Sequence, residues 1–116
     1  MRSIPVGIHG ALETIAAPAI MVAPFVFGFG EAATAVSLAI GVLLLGLALQ
    51  LEGPRRTLPL SAHAGFDYVL AAVAVASGLA IGLIAGEWSA AVFLVGVGVI
   101  QVTLTASTRF SLASGA

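Results

Sequence analysis

The chain has 116 residues, of which 60% are hydrophobic and 8% charged, with a formal net charge of −1. Soluble domains carry about 25% charged residues, and the four basic and five acidic side chains present here are too few to cover a chain of this size in water. The composition predicts a lipid environment. It excludes a nucleic-acid partner, which needs a basic patch, and the absence of cysteine excludes disulfides and thiolate metal sites.

The first predicted element is an apolar stretch from about Pro5 to Phe29, which opens with the sequence Arg2-Ser3-Ile4-Pro5. It exceeds the roughly 20 residues that a helix needs to cross a bilayer. Pro5 suits the first turn of a helix, where its missing N–H would be unpaired in any case, and Ser3 is a plausible cap. His9 and Glu13 follow inside the stretch.

An alternative interpretation of the same stretch is a cleaved signal peptide. It has only Arg2 in its basic region, and its apolar run contains Glu13 and two prolines, so we expect it to remain in the mature protein. Pro18 and Pro24 each remove a backbone donor from the predicted helix. The sequence therefore predicts kinks at both.

The second predicted helix runs from about Ala32 to Leu51, after the short break Gly28-Phe29-Gly30-Glu31. A break this short makes neighbouring helices antiparallel, so the first two helices should form a hairpin. A linker of about residues 52–56 follows, and it holds the densest charge of the chain.

The third and fourth predicted helices repeat this plan. Arg56-Thr57-Leu58-Pro59 opens an apolar stretch from about Pro59 to Ala85, in which Thr57 is the plausible cap. Gly86-Glu87 forms the break, and the fourth stretch runs from about Trp88 to Ser107. These two helices should form a second hairpin.

The opening of each hairpin follows one pattern: Arg, a small hydroxyl residue, an aliphatic residue and Pro, then His four residues later and a carboxylate four beyond. The two copies lie 54 residues apart. Such self-similarity indicates a duplicated architecture. We predict an all-α membrane fold, with four transmembrane helices in an up-down bundle of two tandem helical-hairpin repeats. The single membrane domain spans 1–116, with repeat one at about 3–51 and repeat two at about 57–109.

The arginines predict the orientation in the membrane. All four fall at the N-terminus, the linker or the C-terminus: Arg2, Arg55, Arg56 and Arg109. The opposite side receives Glu31 and Glu87 but no basic residue. By the positive-inside rule, both termini should be cytoplasmic, in a multi-pass protein of the cell inner membrane. Trp88 falls at the opposite interface, where tryptophan is enriched.

The two-helix unit resembles the SPW repeat, a small bacterial integral-membrane module named for a Ser-Pro-Trp motif. The resemblance covers both hairpins and is carried by Ile8-His-Gly-Ala-Leu-Glu and by the run Ala23-Pro-Phe-Val-Phe-Gly-Phe, in which Ala23-Pro24-Phe25 keeps the proline and an aromatic residue. The second copy reads Ser77-Gly78-Leu79 at the matching place and has lost the motif. The resemblance implies a membrane fold of two hairpins and no particular activity.

Ionisable residues inside predicted spans are costly and point to a special role. Each His and its carboxylate are four residues apart and share one helix face, and the first and third helices should be parallel. The sequence therefore predicts a polar layer in the cytoplasmic half of the bundle, composed of His9, Glu13, His63, Asp67 and Gln101.

Three interpretations of this layer are open. It could be structural, with polar pairs that fix how the helices pack. It could hold haem, with the two histidines as axial ligands, or a transition metal with two histidines and two carboxylates as ligands. It could instead be a proton or substrate path.

A stripe of small residues at four-residue spacing lies on the third helix: Ala74, Gly78, Gly82 and Gly86. Such stripes let helix backbones approach closely. We expect the stripe to pack inside the bundle, with a homodimer face as the alternative.

No extramembrane domain and no nucleotide motif are predicted, and an enzyme is not favoured. The sequence favours a small membrane protein that works by association, as a homo-oligomer or as an accessory subunit of a larger membrane complex. The alternative function is a membrane-embedded bundle that binds a cofactor or metal, or handles protons, through the His/carboxylate layer.

Overall fold

The computed structural model describes residues 2–52 and 58–110, apart from the side chain of Glu52. Four helices account for most of this part of the chain: α1 (Val6–Phe27), α2 (Glu31–Glu52), α3 (Leu60–Ala80, continued by a π-helical turn at Ile81–Ala85) and α4 (Trp88–Ala106). All four are long and apolar enough to span a membrane. α1 packs along α2, and α3 packs along α4. The predicted all-α fold of two helical hairpins is confirmed.

The start of each hairpin differs from the prediction by one residue. Pro5 and Pro59 are N-caps, immediately before the first helical turn, and neither helix has a side-chain cap. The prediction that Ser3 caps α1 is wrong. Pro5 has extended backbone angles (φ −64°, ψ 149°), and Ser3 lies two residues further from the helix. Arg55, Arg56 and Thr57, on which the linker and second-cap predictions rest, lie outside the described residues.

The two hairpin turns each begin with a glycine in the left-handed conformation. Gly28 has φ 69° and Gly86 has φ 71°, a region that residues with a Cβ rarely adopt. The Gly28 N–H donates to the Pro24 carbonyl and so ends α1. Glu87 Oε2 accepts a hydrogen bond of 3.0 Å from the Gly30 N–H, which joins the two turns.

The hairpins match in their packing but not in their length. From proline to turn glycine, the second hairpin has four more residues than the first (Pro59 to Gly86 against Pro5 to Gly28). The π-helical turn lies in this longer end, and the sequence analysis did not predict it. Despite the insertion, Gly41 lies against the Ala17 carbonyl and Gly98 against the Ala71 carbonyl. Since Ala17 and Ala71 are 54 residues apart, both hairpins close on equivalent positions.

α1 remains a single helix through both of its prolines, Pro18 and Pro24. Pro24 is buried, and its carbonyl accepts the N–H groups of both Gly28 and Phe29. The kinks expected at Pro18 and Pro24 stay a prediction, because helix continuity alone does not define a bend.

Short strands tie the two ends of the described chain together. β1 (Ile4–Pro5) and β2 (Thr108–Arg109) pair in parallel, and the Ile4 N–H donates to the Ser107 carbonyl at 2.9 Å. The start of α1 therefore lies beside the end of α4. Large apolar side chains such as Ile15, Ile84 and Val92 are 70% or more exposed. A lipid environment makes this outer surface favourable, so the chain is a multi-pass membrane protein.

Candidate metal site between the hairpins

The two histidines and two carboxylates of the repeat meet at one point between α1 and α3. We call His9, Glu13, His63 and Asp67 the His/carboxylate ring. Each has a relative exposure of at most 1%. One ligand atom from each lies within 4.8 Å of the others. The parallel course of α1 and α3 brings the two copies of the pattern together.

Four nitrogen-to-oxygen contacts close the ring. His9 Nε2 lies 3.0 Å from Glu13 Oε2 and 2.9 Å from Asp67 Oδ2. His63 Nε2 lies 3.1 Å from Glu13 Oε1 and 3.1 Å from Asp67 Oδ2. Each histidine thus contacts the carboxylate of its own helix and that of the other repeat.

Two further residues hold the ring from outside. The Gln101 Nε2 group donates to Glu13 Oε2 at 2.7 Å. His9 Nδ1 lies 2.8 Å from Thr108 Oγ1, and the Thr108 hydroxyl donates to the Leu104 carbonyl at 2.6 Å. Since that hydroxyl proton is already used, His9 Nδ1 carries the proton of the His9–Thr108 bond. The Nε2 atom of His9 is thereby directed toward the ring.

Aromatic packing closes the ring on the side of the chain termini. The Phe110 ring lies 5.1 Å from the His9 ring and 5.9 Å from the His63 ring, measured between centroids. Among the described residues, His63 Nδ1 and Asp67 Oδ1 are buried without a hydrogen-bond partner. Buried polar atoms are rarely left unpaired in proteins, so these two atoms mark the hydrogen bonding of the ring as incomplete.

Thr108 and Phe110 were missed by the sequence analysis. Both lie beyond the fourth predicted span, and nothing in their local sequence points to the histidines. The repeat offers one indirect signal. Gly41 and Gly98 pack equivalently and are 57 residues apart, and the same offset relates Leu51 to Thr108. A polar residue there, in place of leucine, is a departure from the first repeat.

The small-residue stripe divides into two parts. Ala74 is fully buried, and a Cβ at Gly78 or Gly82 would lie within about 3 Å of α4 atoms, so these three face the partner helix inside the hairpin. Gly86 does not belong with them. A Cβ at Gly86 would meet nothing within 4 Å, and the residue ends the helix in the left-handed conformation.

Two apolar grooves lie between the hairpins, one between α1 and α4 and the other between α2 and α3. The α1/α4 groove has a volume of about 460 Å³ and is lined by residues that include Leu12, Ile15, Phe93, Glu13 and Gln101. The α2/α3 groove has a volume of about 620 Å³ and is lined by residues that include Phe66, Val69, Val36 and Gln50. Their walls are repeat equivalents, since Leu12 and Ile15 correspond to Phe66 and Val69. Only the α1/α4 groove reaches a ring carboxylate.

The ring needs positive charge inside the bilayer. Two buried carboxylates without a compensating positive charge would be very unfavourable there. Two histidine protons or one divalent cation would balance them. A haem between the histidines does not fit, because their ring centroids are 5.6 Å apart and the two carboxylates fill the space between the Nε2 atoms. The donor set of two imidazole nitrogens and two carboxylates is one that divalent transition metals accept.

The site therefore combines two donor types from two repeats, held by outer contacts to Gln101 and Thr108. In comparisons with known proteins, no family model, no curated protein and no solved structure matches the chain.

Proposed function

We propose that this membrane protein binds one divalent transition-metal ion in the His/carboxylate ring. The observation that carries the proposal is the number of short contacts. Four N···O contacts of 2.9–3.1 Å surround the ring. The two Nε2 atoms can offer only two protons to them. A cation at the centre would instead use a lone pair from every ligand.

The spacing of the ligand atoms supports the same conclusion. Metal bonds to histidine nitrogen and carboxylate oxygen are about 2.0–2.2 Å long, which separates neighbouring ligand atoms by about 3.0 Å at right angles and by about 3.4 Å in a tetrahedron. The observed contacts are 2.9–3.1 Å. With two neutral histidines and two carboxylates, a divalent ion leaves the site without net charge, which suits the bilayer interior.

The outer contacts support the ligand roles. A metal-bound histidine usually donates its second N–H to a fixed partner, which sets its tautomer. His9 makes this bond to Thr108. Gln101 donates to Glu13 Oε2 and so orients that carboxylate. The donor set of nitrogen and oxygen, without thiolate, favours zinc, iron or manganese over soft ions such as Cu(I).

The test is the metal content of the purified protein. We expect close to one zinc, iron or manganese ion per chain after purification in detergent, or after loading of chelator-treated protein followed by dialysis. His63→Ala and Asp67→Asn should lower the bound metal at least tenfold. Co²⁺ loading should give d–d absorption bands that both variants lose.

A matched control is available in the same bundle. Ser37 is buried and polar, and its hydroxyl donates to the Ile20 carbonyl far from the ring. Ser37→Ala should retain the metal. Wild-type protein that holds no metal under any loading condition would overturn the proposal.

A structural role is the second candidate, and one observation favours it. The bonds His9–Asp67, His63–Glu13 and Gln101–Glu13 all join one hairpin to the other. Polar pairs between membrane helices contribute about 0.6 kcal/mol on average. A metal-free protein whose thermal stability falls in the ring variants would support this role. The protein would then act as an accessory subunit or homo-oligomer, which its mass in detergent would reveal.

A proton path is less well supported than the metal-binding role or the structural role. Such a path needs groups that water can reach, and the ring side chains are at most 1% exposed. Membership of the SPW-repeat family also remains part of the proposal. It is supported by the hairpin that contains Ala23-Pro24-Phe25 and by the two-hairpin architecture.

A further inference from the structure

The outer contacts of the His/carboxylate ring hold only its first-repeat half. Gln101 donates to Glu13, and Thr108 accepts the Nδ1 proton of His9. The second-repeat half consists of His63 and Asp67, and the Nδ1 atom of the first and the Oδ1 atom of the second are buried without a hydrogen-bond partner among the described residues. The two halves of the ring are therefore held unequally.

The internal repeat shows why the carboxylate of the second half is unheld. Residues of α2 and α4 correspond at an offset of 57, since Gly41 and Gly98 make equivalent close approaches within their hairpins. At this offset, Leu44 stands where α4 has Gln101. Leu44 is buried and borders the same groove as Glu13 and Gln101, so it lies at the level of the ring. Other buried residues match at the same offset: Ala33 and Ala90, Ser37 and Leu94, and Ala48 and Thr105.

The two carboxylates differ as this correspondence predicts. Glu13 uses both oxygens, Oε1 toward His63 and Oε2 toward His9 and Gln101. Asp67 uses only Oδ2, which contacts both histidines. Because the Gln101–Glu13 bond joins α4 to α1, its repeat equivalent would join α2 to α3, from position 44 to Asp67. Leucine has no donor, so a buried carboxylate oxygen is left without one, which is unfavourable.

The two histidines differ in the same way. The chain leaves the α4 helix before Thr108, whose hydroxyl oxygen then meets His9 Nδ1. The equivalent residue of the first repeat is Leu51, which is still part of the α2 helix and has no polar side-chain atom. A fixed partner on the second ring nitrogen sets the tautomer and the orientation of a ligand histidine. His9 has such a partner, and His63 Nδ1 has none among the described residues.

We propose that the ring exchanges its metal ion through one half: His9 and Glu13 stay in place, and His63 and Asp67 move away from them to admit and release the ion. The exchange rests on the proposed metal binding, and it makes the ring a site of reversible binding. A permanent structural site would hold all four ligands from outside. Leu44 is a positioning residue, because it leaves Asp67 free to move without touching the metal.

The first measurement is the rate of metal release. The full-length protein in detergent is loaded with Zn²⁺, and release is followed after addition of excess chromophoric chelator. Leu44→Gln copies Gln101 and offers Asp67 a donor, so it should slow release about tenfold. Gln101→Leu copies Leu44 and frees Glu13 as well, so it should speed release about tenfold.

A matched control is one residue away on α2. Leu43→Gln makes the same chemical change, but Leu43 is exposed on the outer surface of the bundle. Its release rate should equal that of the wild type. The helical content of each variant is measured by circular dichroism, so that a change in release is compared only between folded proteins.

The second measurement needs no metal. The chain has two histidines, so ¹³C labelling of histidine gives one ring Cε1–H signal from each. In chelator-treated protein, the His63 signal should show relaxation dispersion from microsecond-to-millisecond motion, and the His9 signal should show none. Thr108→Val removes the outer partner of His9, so both signals should then show dispersion, which also assigns them.

Two results would overturn this inference. The first is equal dispersion of the two histidine signals in the wild type. The second is a Leu44→Gln variant with native helical content that releases Zn²⁺ as fast as the Leu43→Gln control. Absence of bound metal contradicts the proposed function, whereas equal histidine dynamics contradict the unequal halves of the ring, so the two failures are distinguishable.

Discussion

At the scale of single residues, Thr108 decides the orientation of His9. Its hydroxyl is bonded to the Leu104 carbonyl, so its oxygen accepts the His9 Nδ1 proton. The Nε2 atom of His9 then faces the two carboxylates. A ring nitrogen whose direction is fixed in advance loses less freedom when it binds a metal.

We predict that Thr108→Val weakens metal binding 10–100-fold, the usual effect of removing an outer partner of a metal-bound histidine. The measurement is competition with a chromophoric chelator, starting from metal-free protein. Thr103→Val is the control, because Thr103 is exposed and its hydroxyl donates to the Val99 carbonyl of its own helix. Equal affinities for both variants would contradict the role given to Thr108.

At the scale of helices, each hairpin has a close approach at an equivalent glycine, Gly41 in the first and Gly98 in the second. A Cβ on Gly98 would lie 2.5 Å from Val75 Cγ2 and 2.7 Å from the Ala71 carbonyl oxygen. Distances below 3.0 Å from a backbone atom cannot be relieved by a side-chain rotation. α4 would have to move away from α3, and part of the tight hairpin packing would be lost.

We predict that Gly98→Ala destabilises the protein by about 1–3 kcal/mol, the typical effect of overpacking. Gly96→Ala, two residues away in the same helix, should be neutral or stabilising by up to about 1 kcal/mol. A Cβ there meets nothing within 4 Å, and alanine favours helix more than glycine does. The measurement is loss of helical circular dichroism on titration with a denaturing detergent. If Gly96→Ala proves the more damaging change, the close approach at Gly98 is not what holds the hairpin.

At the scale of the whole molecule, the start of α1 and the end of α4 lie together at one end of the bundle. The two hairpin turns lie at the other end. The β1–β2 pair joins the first group, and the Glu87–Gly30 bond joins the second. Of the described residues, Arg2 and Arg109 lie at the first end, and the other two arginines belong to the linker between the hairpins in the sequence. Their positive charge favours a cytoplasmic location for that end.

We predict that Ser3→Cys reacts with a membrane-impermeant thiol reagent only from the cytoplasmic side, and that Ser89→Cys reacts only from the opposite side. Both serines are exposed, and the chain has no other cysteine, so each variant reports one position. The measurement compares intact cells with inside-out vesicles. Labelling of both positions from one side would exclude a four-span topology.

The sequence by itself determined the environment and the architecture. Four apolar stretches separated by short breaks leave little alternative to membrane-spanning helices, because the bilayer demands internal pairing of every backbone group. The repeated pattern around Pro5 and Pro59 determined the duplication, and four-residue spacing placed each His with its carboxylate on one face.

Only the tertiary structure decided how those faces meet. The spacing of His9 and Glu13 is local, whereas the contacts to Asp67, Gln101 and Thr108 join residues 58 to 99 positions apart. Such contacts depend on the angle and register of four helices, which local periodicity does not encode. The same holds for the α1/α4 groove, because Gln101 reaches Glu13 only when α4 packs beside α1.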